Sequence, residues 1–272
     1  MTDQTIKVAV NGALGRMGQT VLGAVEVDPA TIAVGGADSA ASGDTVAVPG
    51  GNPVPLAATL ADLLSKVDAD VVVDFSNGAG AVDTMAAASS AGVRVVSGST
   101  GVPPGELERF GSIAAENGLG IISASNFALG AVMMMYLAEV AGPHFQYADL
   151  IESHHEAKID SPSGTALSIA DAARAGRDND FTYNEPEKVT LDEVRGGLVG
   201  GVNVHSARMP GRMARHELVF GTSGQTLSII HDTTNRDCYM PGVLAAIKRV
   251  MTLTGLMLGL DQVLGLRDPA KT

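Results

Sequence analysis

Two adjacent histidines and a lysine lie close together in the middle of the chain, at His154, His155 and Lys158. Imidazole has an ordinary pKa of about 6.5 and can therefore act as a general acid near neutral pH. The Lys158 ammonium offers a positive charge to an anion. The spacing of His154 and Lys158 predicts that they share a face in either a helix or a strand, with His155 pointing elsewhere. Residues of these types could hold a small dianion and give it a proton.

The residues that follow predict where an anion would bind. Pro162 disfavours helix at the residue before it, so the segment is predicted to run from a strand through a loop. Ser163 is then a natural N-cap for a helix from Thr165 to about Arg174. The backbone N–H groups of Gly164 and Thr165 would face a carboxylate at that helix N-terminus.

Two other interpretations apply to the paired histidines. A lone histidine is more often a solvated or core residue than a catalyst, but two histidines followed by a lysine and a capped helix favour a function. Zinc is the other common use of paired histidines. Adjacent histidines cannot easily bind one ion, no cysteine or third histidine lies nearby in the sequence, and Lys158 would repel a cation. The sequence therefore predicts no metal site.

A second pattern lies near the N-terminus, where Gly12, Gly15 and Gly18 follow a strand-like run and open a predicted helix. Glycine permits a tight turn and lets the backbone approach a pyrophosphate, and the helix N-terminus supplies free N–H groups. The spacing is G-x-x-G-x-x-G, whereas the commoner spacing is G-x-G-x-x-G, and some such turns are only structural. The position directly after the first strand favours a nucleotide cradle.

Asp38 gives independent support for a dinucleotide. It lies twenty residues past Gly18, after a strand-like run, where a carboxylate can accept hydrogen bonds from the adenosine ribose hydroxyls. It would repel a 2′-phosphate, and the next residue, Ser39, is not basic. The sequence thus predicts NADH as the preferred cofactor over NADPH, although Arg16 is close enough to soften the preference. The alternative is that Asp38 is simply a loop acid.

The order of the predicted elements indicates the fold class. Short β-branched runs alternate with alanine-rich helical patterns in the first half, which predicts an α/β fold with a doubly wound parallel sheet. After Asn126 the pattern predicts a longer apolar helix and then a smaller α+β domain of antiparallel strands, because no crossover helix separates the last three. The predicted strands are 6–10, 32–37, 71–73, 93–96, 119–122, 148–152, 201–207, 216–220 and 226–231. Besides the helix from Thr165 to about Arg174, the predicted helices are 15–27, 59–66, 78–91, 104–117, 128–141 and 241–258. Residues 176–188 are predicted to form a polar surface loop.

Composition excludes several classes of function. The chain has 272 residues and a net charge of −12, and such a surface repels nucleic acid and anionic membranes. Aromatic residues make up only 4% and tryptophan is absent, which argues against stacking platforms for bases. Cys238 is the only cysteine, so no disulfide forms within the chain, and the polar N-terminal residues predict no secretion signal. No apolar run is long enough to span a bilayer, and a cytoplasmic protein is predicted.

Four segments together resemble one enzyme family, the 4-hydroxy-tetrahydrodipicolinate reductases of the diaminopimelate pathway to lysine. The family signature E-x-H-H-x-x-K-x-D-x-P-S-G-T-A matches residues 152–166. Residues 12–18 resemble its G-x-x-G-R-M-G cradle, and 124–127 resemble its A-x-N-F hinge. Residues 98–101 resemble its G-T-T-G strand end, with Ser99 in place of threonine. The similarity covers nearly the whole chain in the same order.

The resemblance implies roles for individual residues. His154 matches the general acid or base of the family, and Lys158 matches its second catalytic residue, an acid and substrate anchor. The positions that match substrate contacts are His155, Ser163, Gly164 and Thr165. The positions that match cofactor contacts are Gly12, Ala13, Leu14, Gly15, Arg16, Met17, Asp38, Gly98, Ser99, Thr100, Ala124, Ser125, Asn126 and Phe127.

The resemblance also implies an architecture and a reaction. The family has a Rossmann domain closed by a C-terminal helix, here 1–126 plus 236–272. Its second domain, here 127–235, is a mixed-sheet domain that binds substrate and usually builds a homotetramer. The implied substrate is a small cyclic dicarboxylate, which loses water to give a conjugated imine that accepts hydride from NADH or NADPH and then a proton. Some members carry arginine at the positions of Ser39 and Asn77, and its absence here again favours NADH.

Two rival functions remain open from the sequence. A related dehydrogenase acting on another amino acid or sugar acid would use the same glycine turn, but it leaves the segment with two histidines unexplained. A regulator that binds NAD without turnover is the other rival, and the presence of His154 and Lys158 counts against it.

Overall fold

The computed structural model describes residues 5–192 and 194–267. The chain folds as two compact units, one formed by Met1–Ala128 with Tyr239–Thr272 and the other by Leu129–Cys238. The first unit is therefore built from two separate segments of sequence, and the second from one continuous segment.

Thirteen strands and eight α-helices make up the described residues. The strands are β1 Ile6–Asn11, β2 Thr31–Ala37, β3 Thr45–Val46, β4 Val54–Ala57, β5 Val71–Asp74, β6 Arg94–Ser97, β7 Gly120–Ser123, β8 Tyr147–His154, β9 Gly197–Val199, β10 Val202–Arg208, β11 Ala214–Thr222, β12 Gln225–Thr233 and β13 Gly255–Leu258. The helices are α1 Arg16–Val27, α2 Leu60–Leu64, α3 Gly78–Ala91, α4 Pro104–Glu116, α5 Leu129–Ala141, α6 Gly164–Arg174, α7 Met240–Val250 and α8 Leu260–Val263.

An eight-stranded sheet forms the middle of the first unit, in the order β13-β7-β6-β5-β1-β2-β4-β3. Neighbouring strands are parallel except for the antiparallel pair of β3 and β4. The central strand β5 is buried at every residue, which is why it is a continuous apolar run until its final aspartate. The predicted doubly wound parallel sheet is confirmed.

The helices of the first unit pack one apolar face on this sheet. In α1 the buried residues include Val21, Leu22 and Val25, whose spacing of one and then three residues puts them on one side of the helix. Helices α1 to α4 confirm the predicted helices at 15–27, 59–66, 78–91 and 104–117. Among the described helices of both units, none combines the length and the apolar character that crossing a membrane requires.

The strand order reverses direction at β1, which creates a crevice at one end of the sheet. From β1 the chain continues outward through β2 and β4 on one side, and through β5, β6 and β7 on the other. Open α/β sheets bind ligands beyond the carboxyl ends of the strands at such a switch point. Here Asn11 and Asp74 end β1 and β5 side by side, and the Asn11 amide donates to Asp74 Oδ1 at 3.0 Å.

A five-stranded mixed sheet forms the second unit, in the order β12-β11-β8-β10-β9. Side chains alternate along the central strand β8, so that Leu150 and Glu152 are buried on one face while Ile151 is exposed on the other. Helices α5 and α6 contact each other, and their apolar residues join those of the buried face of the sheet in one core. The large buried members of this core include Met134, Leu150, Ile169, Phe181, Leu218 and Phe220.

Two features of the second unit differ from the sequence prediction. Residues 201–207 were predicted to pair antiparallel; β10 does so with β9, but it lies parallel to β8, so the sheet is mixed, as the family resemblance implies. A parallel pair needs a crossover connection, and α6 supplies it. The long loop between α6 and β9 hides this strand–helix–strand unit in the sequence. That loop is polar as predicted, yet its Phe181 is only 4% exposed and anchors it to the core.

The predicted helix over 241–258 is also wrong in its second half. Helix α7 ends at Val250, and β13 follows as an edge strand parallel to β7. Gly255 begins that strand with φ +87°, a left-handed conformation that cannot continue a helix. The apolar residues Leu256 and Met257 are compatible with either a helix or a strand. They form a strand because β7 leaves an open sheet edge with which they pair.

Candidate active site

The glycine turn after β1 is shaped by close backbone contacts. Gly12 has φ +78°, which favours glycine, and its carbonyl oxygen lies close to the first turn of α1. A Cβ on Gly18 would lie 2.1 Å from that oxygen, so only glycine allows the helix to pack on the turn. Gly15 caps α1 without any side-chain hydrogen bond. The first amides of α1 are thus not covered by a capping side chain and suit a pyrophosphate.

Asp38 lies at the end of β2 beside this turn. Its carboxylate accepts hydrogen bonds from the backbone N–H groups of Leu14 and Ala40, each at 3.0 Å. A groove of about 610 Å³ opens beside it, and the described residues that line the groove include no lysine or arginine. The polar or charged lining residues are Asn11, Asp38, Ser39, Thr59, Ser76, Asn77, Asp83 and Thr84.

Asp74 organises the ends of three strands, a role that the sequence did not reveal. Its carboxyl group is fully buried and accepts hydrogen bonds from Ser76 Oγ at 2.6 Å, Ser97 Oγ at 3.0 Å and Ser99 Oγ at 2.7 Å. With Asn11, these contacts tie the ends of β1, β5 and β6 together. The short serine-rich strand ends in the sequence are the only signal of this arrangement.

The other predicted cofactor residues lie on the loops at the same end of the sheet. Gly98 has no room for a Cβ, which would lie 2.2 Å from the Phe75 ring. Phe127 is 1% exposed and packs edge-on against Phe75 at 5.8 Å, so it supports the loops from within. The exposed members of the predicted set are Leu14, Gly15, Arg16, Thr100 and Ser125, the partly exposed ones are Gly12, Met17, Asp38, Gly98 and Asn126, and the buried ones are Ala13, Ser99, Ala124 and Phe127.

His154 is the last residue of β8 and lies in a largely enclosed position, 7% exposed. Its Nδ1 atom lies 2.5 Å from Glu152 Oε2. Burial lowers the pKa of His154, and the contact with Glu152 opposes that shift only in part. Its Nε2 atom makes no hydrogen bond with any other described residue.

Glu152 and Arg208 form a buried ion pair beside His154. Arg208 Nη2 donates to Glu152 Oε1 at 2.9 Å, and its Nη1 donates to Oε2 at 3.1 Å. Burial by itself raises the pKa of Glu152, but the hydrogen bonds, above all those from Arg208, bring the net shift below its ordinary value. Glu152 therefore stays ionised at neutral pH although its side chain is fully buried.

His216 on β11 completes this cluster from a third strand. It is 2% exposed, and its ring meets that of His154 edge to face at 5.3 Å. Its Nε2 atom lies 3.3 Å from the Ser163 hydroxyl, whose O–H can donate to it. The Ser163 oxygen accepts from the Ala166 N–H and so caps α6 as predicted. Burial lowers the pKa of His216 to about 4, so the ring is neutral at pH 7.

Lys158 lies in a turn after β8, where its N–H donates to the His155 carbonyl at 3.2 Å. The prediction that His154 and Lys158 share a face of one regular element is therefore wrong, because the strand ends at His154. The Lys158 ammonium pairs with Asp160, whose carboxylate also accepts from the Gly164 N–H. His155 is half-buried and lies between the strand and this turn.

One donor atom each from Glu152, His154 and His216 lies within 4.8 Å of the others, which is a possible arrangement for binding a metal ion. The fold thus brings a third histidine, His216, close in space although it is distant in the sequence. The donor chemistry nevertheless opposes a cation. Both oxygens of Glu152 already accept hydrogen bonds from the Arg208 guanidinium, and the positive charge of Arg208 would lie directly beside the metal ion.

Family models for the two parts of dihydrodipicolinate reductase match the chain, the N-terminal model over residues 6–127 and the C-terminal model over residues 130–264. The chain belongs to the dihydrodipicolinate reductase family. A 4-hydroxy-tetrahydrodipicolinate reductase of Dehalococcoides mccartyi is 42% identical over 262 residues, which cover 96% of this chain and 99% of that protein. The reductase of that name from Synechocystis sp. is 40% identical and covers 95% of this chain and 98% of its own.

Solved structures agree with the family. The dipicolinate-bound dihydrodipicolinate reductase from Paenisporosarcina sp. TG-14 superposes with a TM-score of 0.86 at 33% identity, covering 95% of this chain and 99% of that one. Within the histidine cluster of this chain, the sequence assigned no role to Glu152 or His216. Arg208 was noted only as one of several arginines whose contacts the sequence left open.

Proposed function

We propose that this protein is a 4-hydroxy-tetrahydrodipicolinate reductase, which reduces its substrate with a pyridine nucleotide in the diaminopimelate route to lysine. The observation that carries this proposal is the cluster of His154, Lys158 and the Ser163-capped helix in a chain of the dihydrodipicolinate reductase family. An acid, a cation and the amides at a helix N-terminus are what a dicarboxylate that must receive a proton requires.

The two units divide this work. Residues 1–126 with 236–272 are proposed to bind the cofactor, because the glycine turn, Asp38 and the groove all lie there. Residues 127–235 are proposed to bind the substrate, because His154, His155 and Lys158 lie there. A bound reduced nicotinamide supplies the hydride.

His154 is proposed as the proton donor. Hydride addition to the conjugated imine formed by dehydration leaves negative charge on the adjacent enamine, and a proton must neutralise it. In the free protein burial keeps the pKa of His154 low. Two substrate carboxylates nearby would raise that pKa, because negative charge favours the imidazolium. His154 is thus expected to become protonated when the substrate is bound.

Lys158, His155 and the amides of Gly164 and Thr165 are proposed to hold the substrate carboxylates. Charge-assisted hydrogen bonds from Lys158 would orient the ring. The hydroxyl of Ser163 keeps the first turn of α6 in place by accepting from Ala166 N, so its own role is to position those amides.

NADH is proposed as the preferred cofactor over NADPH. The lining of the groove carries two carboxylates, Asp38 and Asp83, and no lysine or arginine among the described residues, so it disfavours a 2′-phosphate. Replacing Ser39 by arginine together with Asp38→Ala should shift the ratio of kcat/KM values for the two cofactors toward NADPH by at least about tenfold. An unchanged ratio would show that neither position senses the phosphate.

The direct test of the proposed function follows NADH oxidation at 340 nm with freshly formed 4-hydroxy-tetrahydrodipicolinate as substrate. We expect turnover on this substrate and at most slow turnover on a panel of open-chain amino acids and sugar acids. Turnover on the panel but not on the cyclic dicarboxylate would favour a related dehydrogenase. Tight NADH binding without any turnover would favour a regulator.

A homotetramer in the cytoplasm completes the proposal. On the outer face of the second sheet, Ile151 and Ile230 are about half exposed and lie in one row across the strands, on either side of Glu217. Such a face suits association with another copy. Sedimentation of the purified protein should give four times the chain mass of 27.7 kDa, and I151K should reduce it.

A further inference from the structure

The Nδ1 atom of His154 faces a group that can only accept a hydrogen bond. Glu152 is ionised, and an ionised carboxylate has no proton to donate. The contact of 2.5 Å between His154 Nδ1 and Glu152 Oε2 is therefore a hydrogen bond in which Nδ1 carries the proton. In neutral imidazole only one nitrogen is protonated, so Nε2 then bears the lone pair.

We propose that Glu152 is a positioning residue, which holds the proton of neutral His154 on Nδ1 and leaves Nε2 as the one ring nitrogen that gains and loses a proton during the reaction. The inference rests on the proposed role of His154 in catalysis. In the proton transfer, the N–H bond at Nε2 breaks as a C–H bond forms on the enamine carbon of the substrate. The ring returns to the neutral form with its proton on Nδ1, and a proton from solvent then restores the N–H bond at Nε2.

Arg208 is what makes Glu152 able to do this. A lone buried carboxylate would take up a proton and could then donate to Nδ1, which would reverse the tautomer. The two hydrogen bonds from the guanidinium prevent that. Arg208 also donates to the carbonyls of Ala207 and Asp160, each at 2.7 Å, so it is held from the strand and from the loop that carries Lys158.

The charged and titratable groups around His154 act in known directions. Burial disfavours the imidazolium most strongly and lowers the pKa of His154, Glu152 favours the imidazolium, and Lys158 and Arg208 disfavour it. His216 faces the ring from β11 and is neutral, so its edge contact adds no charge at pH 7. Glu152 is the only one of these groups in contact with a ring nitrogen of His154, and it alone can select the tautomer.

The tautomer is measured directly by ¹⁵N NMR on protein labelled at its six histidines, with His154→Gln used to assign the signal. In the wild type we expect a protonated Nδ1 and an unprotonated Nε2 at pH values where His154 is neutral. In Glu152→Gln the amide can rotate and donate to Nδ1, so the Nε2–H tautomer should become populated. A wild-type signal with the proton on Nε2 would overturn the proposal.

Kinetics give a second readout. Glu152→Gln should lower kcat at pH 8 by at least about tenfold and leave KM within about threefold, because the substrate contacts are unchanged. The limb of the kcat profile that reports protonated His154 should move to lower pH. Glu187→Gln is the control, since Glu187 is an exposed acid in the loop between α6 and β9 and belongs to neither the site nor the proposed contact face. An unchanged limb in Glu152→Gln, with the same tautomer as the wild type, would also overturn the proposal.

If Glu152→Gln fails to fold, a double variant provides the same test. Glu152→Gln leaves Arg208 without its anionic partner, whereas Glu152→Gln with Arg208→Met removes both charges and keeps the volume. The double variant should show the same change of tautomer. If the wild type does not reduce the proposed substrate, the proposed function fails, but the NMR result still decides the role of Glu152.

Discussion

The nucleotide turn in the first unit and the histidine cluster in the second are built from different materials. The turn is made of backbone: glycines, helix amides and carbonyls that approach one another closely. The cluster is made of ionisable side chains, Glu152, His154, Arg208 and His216, from three strands. All six histidines of the chain lie between residues 144 and 231, within the second unit.

The difference predicts different sensitivities. A site of backbone amides holds a fixed negative charge and has nothing that titrates near neutrality. A site of buried ionisable groups responds to pH and depends on every partner, because a charge left unpaired there is costly. Substitutions should therefore affect cofactor binding in one unit and proton transfer in the other, and each prediction below tests that separation.

The largest effect is expected from His154→Gln. Loss of the proton donor should lower kcat by about 100- to 10,000-fold, while the dissociation constant for NADH stays unchanged, because the turn lies in the other unit. Steady-state kinetics and NADH fluorescence titration measure the two quantities. The control is His144→Gln, which replaces an exposed histidine of the same unit. Near-normal turnover would remove His154 from the mechanism.

The second prediction concerns stability. The pKa of His216 is about 4 in the folded protein and about 6.5 when unfolded, so the unfolded chain binds more protons between these pH values. The free energy of unfolding should therefore fall by about 3 kcal/mol as the pH drops from 6.5 to 4, and this contribution is fully present only above pH 6.5.

Urea denaturation across this range measures that contribution when the wild type is compared with His216→Gln. Glutamine can still accept the hydrogen bond from Ser163 Oγ but does not titrate, so its curve should be flatter by that amount. Equal slopes for both proteins would mean that His216 is not buried in its neutral form.

The same contrast explains what the sequence could and could not predict. The glycine turn is a local feature, and the spacing of Gly12, Gly15 and Gly18 was enough to place it between a strand and a helix. The regular alternation of strands and helices was likewise enough for the parallel sheet. Strand β13 was missed because its pairing with β7 depends on an open sheet edge, which the local pattern of 255–258 does not encode.

The histidine cluster was predicted only where it is continuous in sequence. His154, Lys158 and the cap at Ser163 lie within ten residues, and their types were informative. Arg208 and Glu152 are 56 residues apart, and His216 and Ser163 are 53 apart. Their contacts arise from the order of β10, β8 and β11, including the parallel pair of β10 and β8, whose pairing the sequence did not reveal. No local pattern carries that information.

The third prediction tests the backbone character of the turn. Gly18→Ala would place a methyl group 2.1 Å from the Gly12 carbonyl oxygen, so the start of α1 must move away from the turn. We expect the dissociation constant for NADH to rise by at least about tenfold, because the N–H groups at the start of α1 would no longer point toward the pyrophosphate. The matched control is Gly105→Ala in α4, where no atom lies within 4 Å of the new Cβ. Equal NADH affinities in the two variants would contradict this account of the turn.

The smallest effect is expected at Asp160, whose carboxylate contacts both an ionisable side chain and a backbone amide of the second unit. Its carboxylate pairs with Lys158 and accepts from the Gly164 N–H, which are two of the groups proposed to hold the substrate. The substrate must therefore displace Asp160, and Asp160→Asn should lower KM by about two- to fivefold, the range expected for an exposed ion pair. The difference should shrink at high salt, because exposed charges are screened. Asp178→Asn, at an exposed acid in the following loop, is the control, and a KM that rises in Asp160→Asn instead would mean that Asp160 holds Lys158 in place for the substrate rather than competing with it.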